Sequence, residues 1–157
     1  MKNPLLLLLI ILICCTKEDD SNSSSAIYID DNGITIKSRN FALIGNTYEL
    51  NEISYKIVDE ELLISMVKNE DDLTKVVTSR VTDMSSLFIG RTTFNQDIGN
   101  WDTSNVTDMD YMFADSGLFN QDLTGWCVSN LKSEPNYFAV SSGLTNANKP
   151  VWGTCPP

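Results

Sequence analysis

The 157-residue chain contains no histidine. That absence removes Ser-His-Asp and Cys-His nucleophilic centres, most zinc enzymes and the commonest general base. Cysteine is scarce, and Cys14, Cys15, Cys127 and Cys155 form no CxxC pair, so a zinc site would need isolated thiols and carboxylates. Positive charge is also in short supply, with 11 Lys and Arg against 21 Asp and Glu and a net charge of −10. A surface this acidic repels phosphate backbones, which argues against nucleic-acid partners and favours solubility. Long apolar runs are missing too. The longest, Leu5–Ile13, has nine residues, and a membrane-spanning helix takes roughly 20.

That run does suit a signal-peptide core, with Lys2 ahead of it and polar, acidic sequence directly behind. Leu12-Ile13-Cys14-Cys15 resembles the lipobox of bacterial lipoproteins. Aligned on Cys15, Leu12 takes position −3 and Cys14 position −1; aligned on Cys14, Ile13 takes −1 and is too bulky. Cysteine at −1 departs from the usual Gly, Ala or Ser, and the alternative is an ordinary signal peptide with two incidental thiols. The resemblance implies that residues 1–14 are removed and that Cys15 is lipidated, with enough acyl chains for firm attachment. Lys17, Glu18, Asp19 and Asp20 then resemble the export signal of outward-facing lipoproteins; a solvated spacer is the alternative. Residues 15–26 are expected to be the lipidated Cys and a flexible acidic, Ser-rich tether. The implied location is the bacterial outer membrane, lipid-anchored and facing the cell exterior.

Residues 27–72 read as a small α+β module. Ile27 and Ile29, then Ile34 and Ile36, alternate around the turn signal Asp31-Asn32-Gly33, a hairpin signature. A second strand pair flanks Asn51-Glu52, from Tyr48–Leu50 to Ile53–Val58. Asp59 is placed to cap a helix over about 60–68, in which Leu62, Leu63, Met66 and Val67 share one face.

From residue 73 to 157 the chain repeats. VTDMSSLF starts at Val81, VTDMDYMF at Val106 and a weaker LKSEPNYF at Leu131, each 25 residues apart. FNQDIGNW from Phe94 recurs as FNQDLTGW from Phe119. Matched apolar positions keep their character: Phe88, Phe113 and Phe138; Phe94, Phe119 and Leu144; Trp101 and Trp126. A fixed period of this length predicts a stacked solenoid. Each unit would hold a short strand at Trp101–Thr103, a short helix carrying Val106, Met109, Met112 and Phe113, and a return loop. The expected fold class is therefore an α/β repeat, a short leucine-rich-repeat-like solenoid behind the α+β module. Its core would comprise Val81, Met84, Phe88, Phe94, Trp101, Val106, Met109, Phe113, Phe119, Trp126, Leu131 and Phe138.

The pattern V-T-D-M-x-x-M/L-F, F-N-Q-D-I/L-x-x-W resembles the BspA-like leucine-rich repeat surface proteins over Leu73–Pro157, and Ile27–Val58 resembles the module ahead of such repeats. The resemblance implies a bacterial cell-surface protein; some members of that family are adhesins for host matrix proteins. With two full repeats and partial ones at each end, this chain is short for the family.

The third unit departs from the pattern, with Pro135 inside the expected helix and Trp152 one residue late relative to Trp126. It is expected to be a cap, flanked by Cys127 and Cys155. In an extracytoplasmic protein these two are expected to pair; the competing reading is a reactive thiol, although no nearby cation is evident to activate Cys127.

Catalytic chemistry would have to rest on carboxylates such as Asp97, Asp102, Asp108, Asp110, Asp115 and Asp122, a pair of which could hydrolyse a glycoside. Asp83/Asp108 and Asp97/Asp122 recur at the repeat spacing, however, and Asn95, Asn120, Asp97 and Asp122 suit turn capping. Asp30-Asp31-Asn32-Gly33 and Asp108–Asp115 lack the ligand spacing of a calcium loop. Neither cofactor nor metal is expected. Trp101 and Trp126 could stack on sugars if exposed, but their alignment favours a buried column. The sequence points to a non-catalytic, surface-anchored binding module for an extracellular protein. A glycan-binding accessory lipoprotein and an envelope structural protein without external ligand are the alternatives.

Overall fold

The computed structural model describes residues 25–157. The expected signal peptide, lipidation at Cys15 and export signal at Lys17–Asp20 fall outside the described residues.

The N-terminal part follows its turn chemistry. Strand β1 (Ile27–Ile29) pairs antiparallel with β2 (Ile36–Ser38). In the connection, Asn32 Oδ1 accepts the Ile34 and Thr35 N–H groups at 3.0 and 2.9 Å, and Gly33 takes φ +71°. Strand β3 (Thr47–Leu50) pairs antiparallel with β4 (Ile53–Ile57). Their two-residue turn, Asn51-Glu52, has both φ angles positive, at 51° and 67°, which matches the twist of a tight hairpin.

Helix α1 (Glu60–Asn69) begins where Asp59 Oδ1 accepts the Leu62 N–H at 2.9 Å. It stops where Glu70 turns left-handed at φ 59°, a conformation that commonly ends helices. Leu63, Met66 and Val67 are buried against the rest of the core. Strand β5 (Val76–Val77) then lies parallel to β4, giving the sheet order β3-β4-β5.

Beyond β5 the expected fold class fails. The described residues contain one α-helix and two small sheets, and no α/β strand-plus-helix solenoid. The strand expected at Trp101–Thr103 is irregular backbone, and in place of the helix expected over Val106–Phe113 there are a single bridge from Asp108 to Asp83 and a run of turns. Backbone geometry gives the reason. Tyr111 and Asp115 have φ of 59° and 58°, which breaks a right-handed helix. Alternate N–H groups also leave their own segment: Met84, Ser86, Phe88 and Gly90 donate to the carbonyls of Asp108, Asp110, Met112 and Ala114 at 2.8–2.9 Å. A helix would need those donors internally. Around Trp101, the links between copies use side chains instead of a backbone ladder. Thr78 Oγ1 donates to Asp102 O at 2.9 Å and Thr103 Oγ1 to Cys127 O at 2.8 Å.

Sequence copies therefore lie side by side, and their apolar residues form columns. Trp101 and Trp126 stack at 6.4 Å with planes 3° apart, and each Nε1–H reaches a carbonyl one copy back, Leu73 O at 3.0 Å and Ile98 O at 3.1 Å. Phe88 stacks on Phe113 at 5.4 Å, and Phe94 on Phe119 at 5.5 Å. Val81, Met84, Val106 and Met109 are buried beside them, while Phe94 and Leu131 are only partly covered.

The last copy slips by one residue. Tyr111, Phe113 and Asp115 donate to the carbonyls of Asn136, Phe138 and Val140. Phe138 thus occupies the place of Met112, not that of Phe113 as the 25-residue alignment had it. It meets Phe113 edge-on at 89° instead of stacking. The extra residue falls in Lys132–Pro135, and proline has no N–H to give such a ladder.

Candidate functional site

The two rows of left-handed residues on the turns create the surface of interest. Ser86, Tyr111 and Tyr137 occupy one row at φ 57°, 59° and 54°, and Gly90, Asp115 and Ser141 the other. For a bulky side chain this conformation costs on the order of 1–2 kcal/mol. The ladder enforces it: Tyr111 N–H is tied to Asn136 O at 2.9 Å and Tyr111 O accepts from Ala114 N–H at 3.1 Å.

Strained backbone turns the tyrosine rings outward. Tyr111 is 40% and Tyr137 60% exposed. Their rings stack at 4.8 Å with planes 18° apart. Asp110 sets this spacing, since its two oxygens accept the Asn136 N–H at 2.7 Å and Asn136 Nδ2 at 2.9 Å. Ile89 and Val140, both exposed, hold equivalent positions on the Ser86 and Tyr137 turns, while Ala114 at that position of the Tyr111 turn is buried. The result is an aromatic and aliphatic surface on preset turns, with α1 at one end, where Ile64 and Ile89 line the same shallow groove.

A separate groove of 410 Å³ lies between the end of α1 and Phe94. On its rim Arg91 Nη1 stands 3.8 Å from Glu70 Oε1, so the two opposite charges there face each other.

Most of the carboxylates singled out in the sequence are occupied by hydrogen bonds within turns or between copies. Asp97 Oδ1 accepts the Gly99 N–H at 3.0 Å, and Asp122 Oδ1 accepts Thr124 N–H and Oγ1–H at 2.9 and 2.7 Å. Asp108 Oδ1 accepts the Asp110 N–H at 2.9 Å. Buried Asp102 takes hydroxyl bonds from Ser79 and Ser104, both at 2.6 Å. Asn95 Oδ1 accepts the Asn120 N–H at 3.1 Å, and Asn120 Oδ1 accepts the Thr145 N–H at 3.0 Å. Trp101 and Trp126 are fully buried and have no face to offer a sugar. Cys127 and Cys155 form a disulfide that closes the C-terminal segment. Among the described residues, no group of three or more Cys, Asp or Glu is placed to hold a metal ion.

The turn bonds have a pH signature. The Thr124 hydroxyl and N–H hold Asp122 below the ordinary aspartate value. Asp72 is lowered in the same way by Thr74, with help from Lys75. Both carboxyls are depressed in the folded state, so their stabilisation is present above the unfolded pKa and lost as pH falls through the folded one. Thermal midpoints should therefore fall as the pH drops below about 4, the ordinary aspartate value. The double variant Asp72→Asn/Asp122→Asn should show a shallower acid decline; an unchanged slope would mean that these turns do not contribute.

Sequence reasoning missed the tyrosines. A signal existed, since Tyr111 stands at the repeat position of Ser86, off the apolar skeleton. Its partner was hidden because Tyr137 is 26, not 25, residues further on.

No curated protein and no solved structure matches the chain. A family model described as "Mycoplasma protein of unknown function, DUF285" matches residues 60–154, from the start of α1 to the residue before Cys155. That stretch is more than half of the chain and includes every copy of the 25-residue motif, so the protein belongs to the DUF285 family.

Proposed function

We propose that this chain is a non-catalytic, lipid-anchored interaction module on the outer face of the bacterial envelope, which contacts an extracellular protein through the surface centred on Tyr111 and Tyr137. The observation that carries the reading is the stacked, exposed tyrosine pair held on left-handed backbone. A strained position with an outward-facing ring supports a selected surface. Tyrosine gives a large contact area at low conformational cost, which is why it recurs at binding hot spots. Exposed Ile89, on the Ser86 turn, and Val140, on the Tyr137 turn, add apolar area to the same set of turns, which favours a protein partner over a sugar. The lipobox-like Leu12–Cys15 segment and the motif likeness to BspA-like surface proteins support the location and the adhesive role.

Protease shaving of intact cells expressing the full chain tests the location. Digestion from outside, abolished by deleting Lys17–Asp20, is the expected result. Protection until the outer membrane is opened overturns the reading and leaves an envelope structural role. Attachment of the same cells to immobilised matrix proteins tests the surface. Tyr111→Ser with Tyr137→Ser should lower attachment while shaving is unaltered; equal attachment would remove the tyrosines from the contact.

A further inference from the structure

A second apolar surface lies in the N-terminal module. Phe41, Leu43 and Ile44 are 57%, 62% and 50% exposed within the short loop between β2 and β3. Three large apolar side chains at the tip of one loop make no contribution to either core, while their neighbour Ala42 is buried in the smaller one. The loop is held in shape from beneath. Arg39 N–H donates to Ala26 O at 2.9 Å, Ala42 N–H to Arg39 O at 3.0 Å, and Leu43 N–H to the Tyr48 hydroxyl at 2.9 Å. Gly45 supplies the left-handed turn at φ +81° and donates to Ile57 O at 2.8 Å.

Along the sequence, the charge of this segment runs against that of the chain. From Ile36 to Tyr48 there are two cations, Lys37 and Arg39, and no carboxylate, in a protein with net charge −10. Arg80 adds a third cation from across the fold, its Nη2 donating to Arg39 O at 3.1 Å and Asn40 O at 2.8 Å. Lys37 is drawn to Asp30 at 2.8 Å, and the Arg39 guanidinium sits over the Tyr28 ring at 4.9 Å. Apolar side chains at a tip with arginines at its base match a lipid surface, where acyl chains lie below a layer of phosphates.

The place of the loop in the chain decides the occupant. Its base is bonded to Ala26, next to Ser25, where the described residues begin. Nine residues separate Cys15 from Ser25, and they reach at most roughly 30 Å when fully extended. A lipid on Cys15 therefore keeps the loop near a bilayer at high effective concentration.

We infer that the Phe41–Ile44 loop docks on the lipid surface to which the chain is anchored, inserting its apolar tip between headgroups while Arg80 at its base meets lipid phosphates. The inference rests on the lipid-anchored reading and adds an orientation to it. The domain is held against the membrane by its N-terminal module, and the tyrosine pair, which lies on the copies beyond the Ser86 turn that borders α1, is left for a partner.

The test uses the full lipidated chain with Phe41→Trp, and separately Val140→Trp, in vesicles of phosphatidylethanolamine and phosphatidylglycerol. Phosphatidylcholine brominated on its acyl chains is added as the quencher. The native Trp101, Trp126 and Trp152 occur in both variants, so the two are compared directly. The expected result is blue-shifted, bromine-quenched emission from the indole introduced at 41 and unquenched emission from that at 140. Serine replacements serve as a second measurement: Phe41→Ser/Leu43→Ser/Ile44→Ser should float with the vesicles as before but lose protection of the loop from protease. If the chain floats and the indole at 41 stays unquenched, docking is overturned while anchoring stands. If the chain does not float, the anchored reading and the inference fall together. A blue shift without vesicles that grows with protein concentration overturns the lipid assignment and points to a second copy.

Discussion

Trp101→Ala is expected to remove about 3–5 kcal/mol of stability, the usual loss for truncating a buried tryptophan. The indole is fully buried, stacks on Trp126 and tilts against Phe88 at 6.0 Å. Its Nε1–H also satisfies Leu73 O at 3.0 Å, and a buried carbonyl left without a donor costs a further ~1–3 kcal/mol. A domain of this size has only about 5–15 kcal/mol in hand, so the variant should be close to unfolding at physiological temperature. Trp101→Phe separates the two contributions, since it keeps an aromatic ring in the column and drops the hydrogen bond. Urea titration reads both variants. A loss below ~0.5 kcal/mol for Trp101→Ala, the scale of an ordinary surface change, would contradict the stacked column.

The second large effect concerns the disulfide. Cys127 and Cys155 are 28 residues apart, and opening a loop of that length should cost about 3–4 kcal/mol by the chain-entropy model. The joint variant Cys127→Ser/Cys155→Ser should lower the denaturation midpoint accordingly. The segment it frees keeps other attachments. Val128 N–H bonds Thr154 O at 2.8 Å, and Trp152 packs edge-on to Phe138 at 5.0 Å. The tail should therefore open first, and limited proteolysis should cut near Asn146–Asn148 before it cuts the Trp101 region. Simultaneous loss of both regions would show that the cap and the rest unfold as one unit.

How much of this was legible in the sequence depends on where each hydrogen bond ends. Hairpins and helix caps are local, and Asn32-Gly33, Asn51-Glu52 and Asp59 announce them within a few residues. Burial was legible for the same reason that the secondary structure was not. Val106, Met109 and Met112 face the core at helical spacing, but tandem turns place residues at that spacing too, with Val106 N–H on Thr103 O and Met112 N–H on Met109 O. Periodicity records which side chains are inside; it does not record whether the intervening N–H groups stay in their own segment. Strand β5 was missed because it exists only where β4 lies beside it. In the candidate site, the carboxylates of Asp97 and Asp122 declared themselves as turn caps by their spacing to the residues they hold. Tyr111 and Tyr137 did not, because a left-handed backbone is imposed by the neighbouring copy and leaves no mark in tyrosine itself.

Those two positions also bear on how the protein can be altered. Left-handed backbone is where replacement by glycine relieves steric conflict most directly. Any effort to harden this domain by ranking sites on folding free energy alone would select residues 111 and 137 for replacement at once. It would exchange relieved backbone strain for a bare face, because both rings stand largely exposed on left-handed backbone.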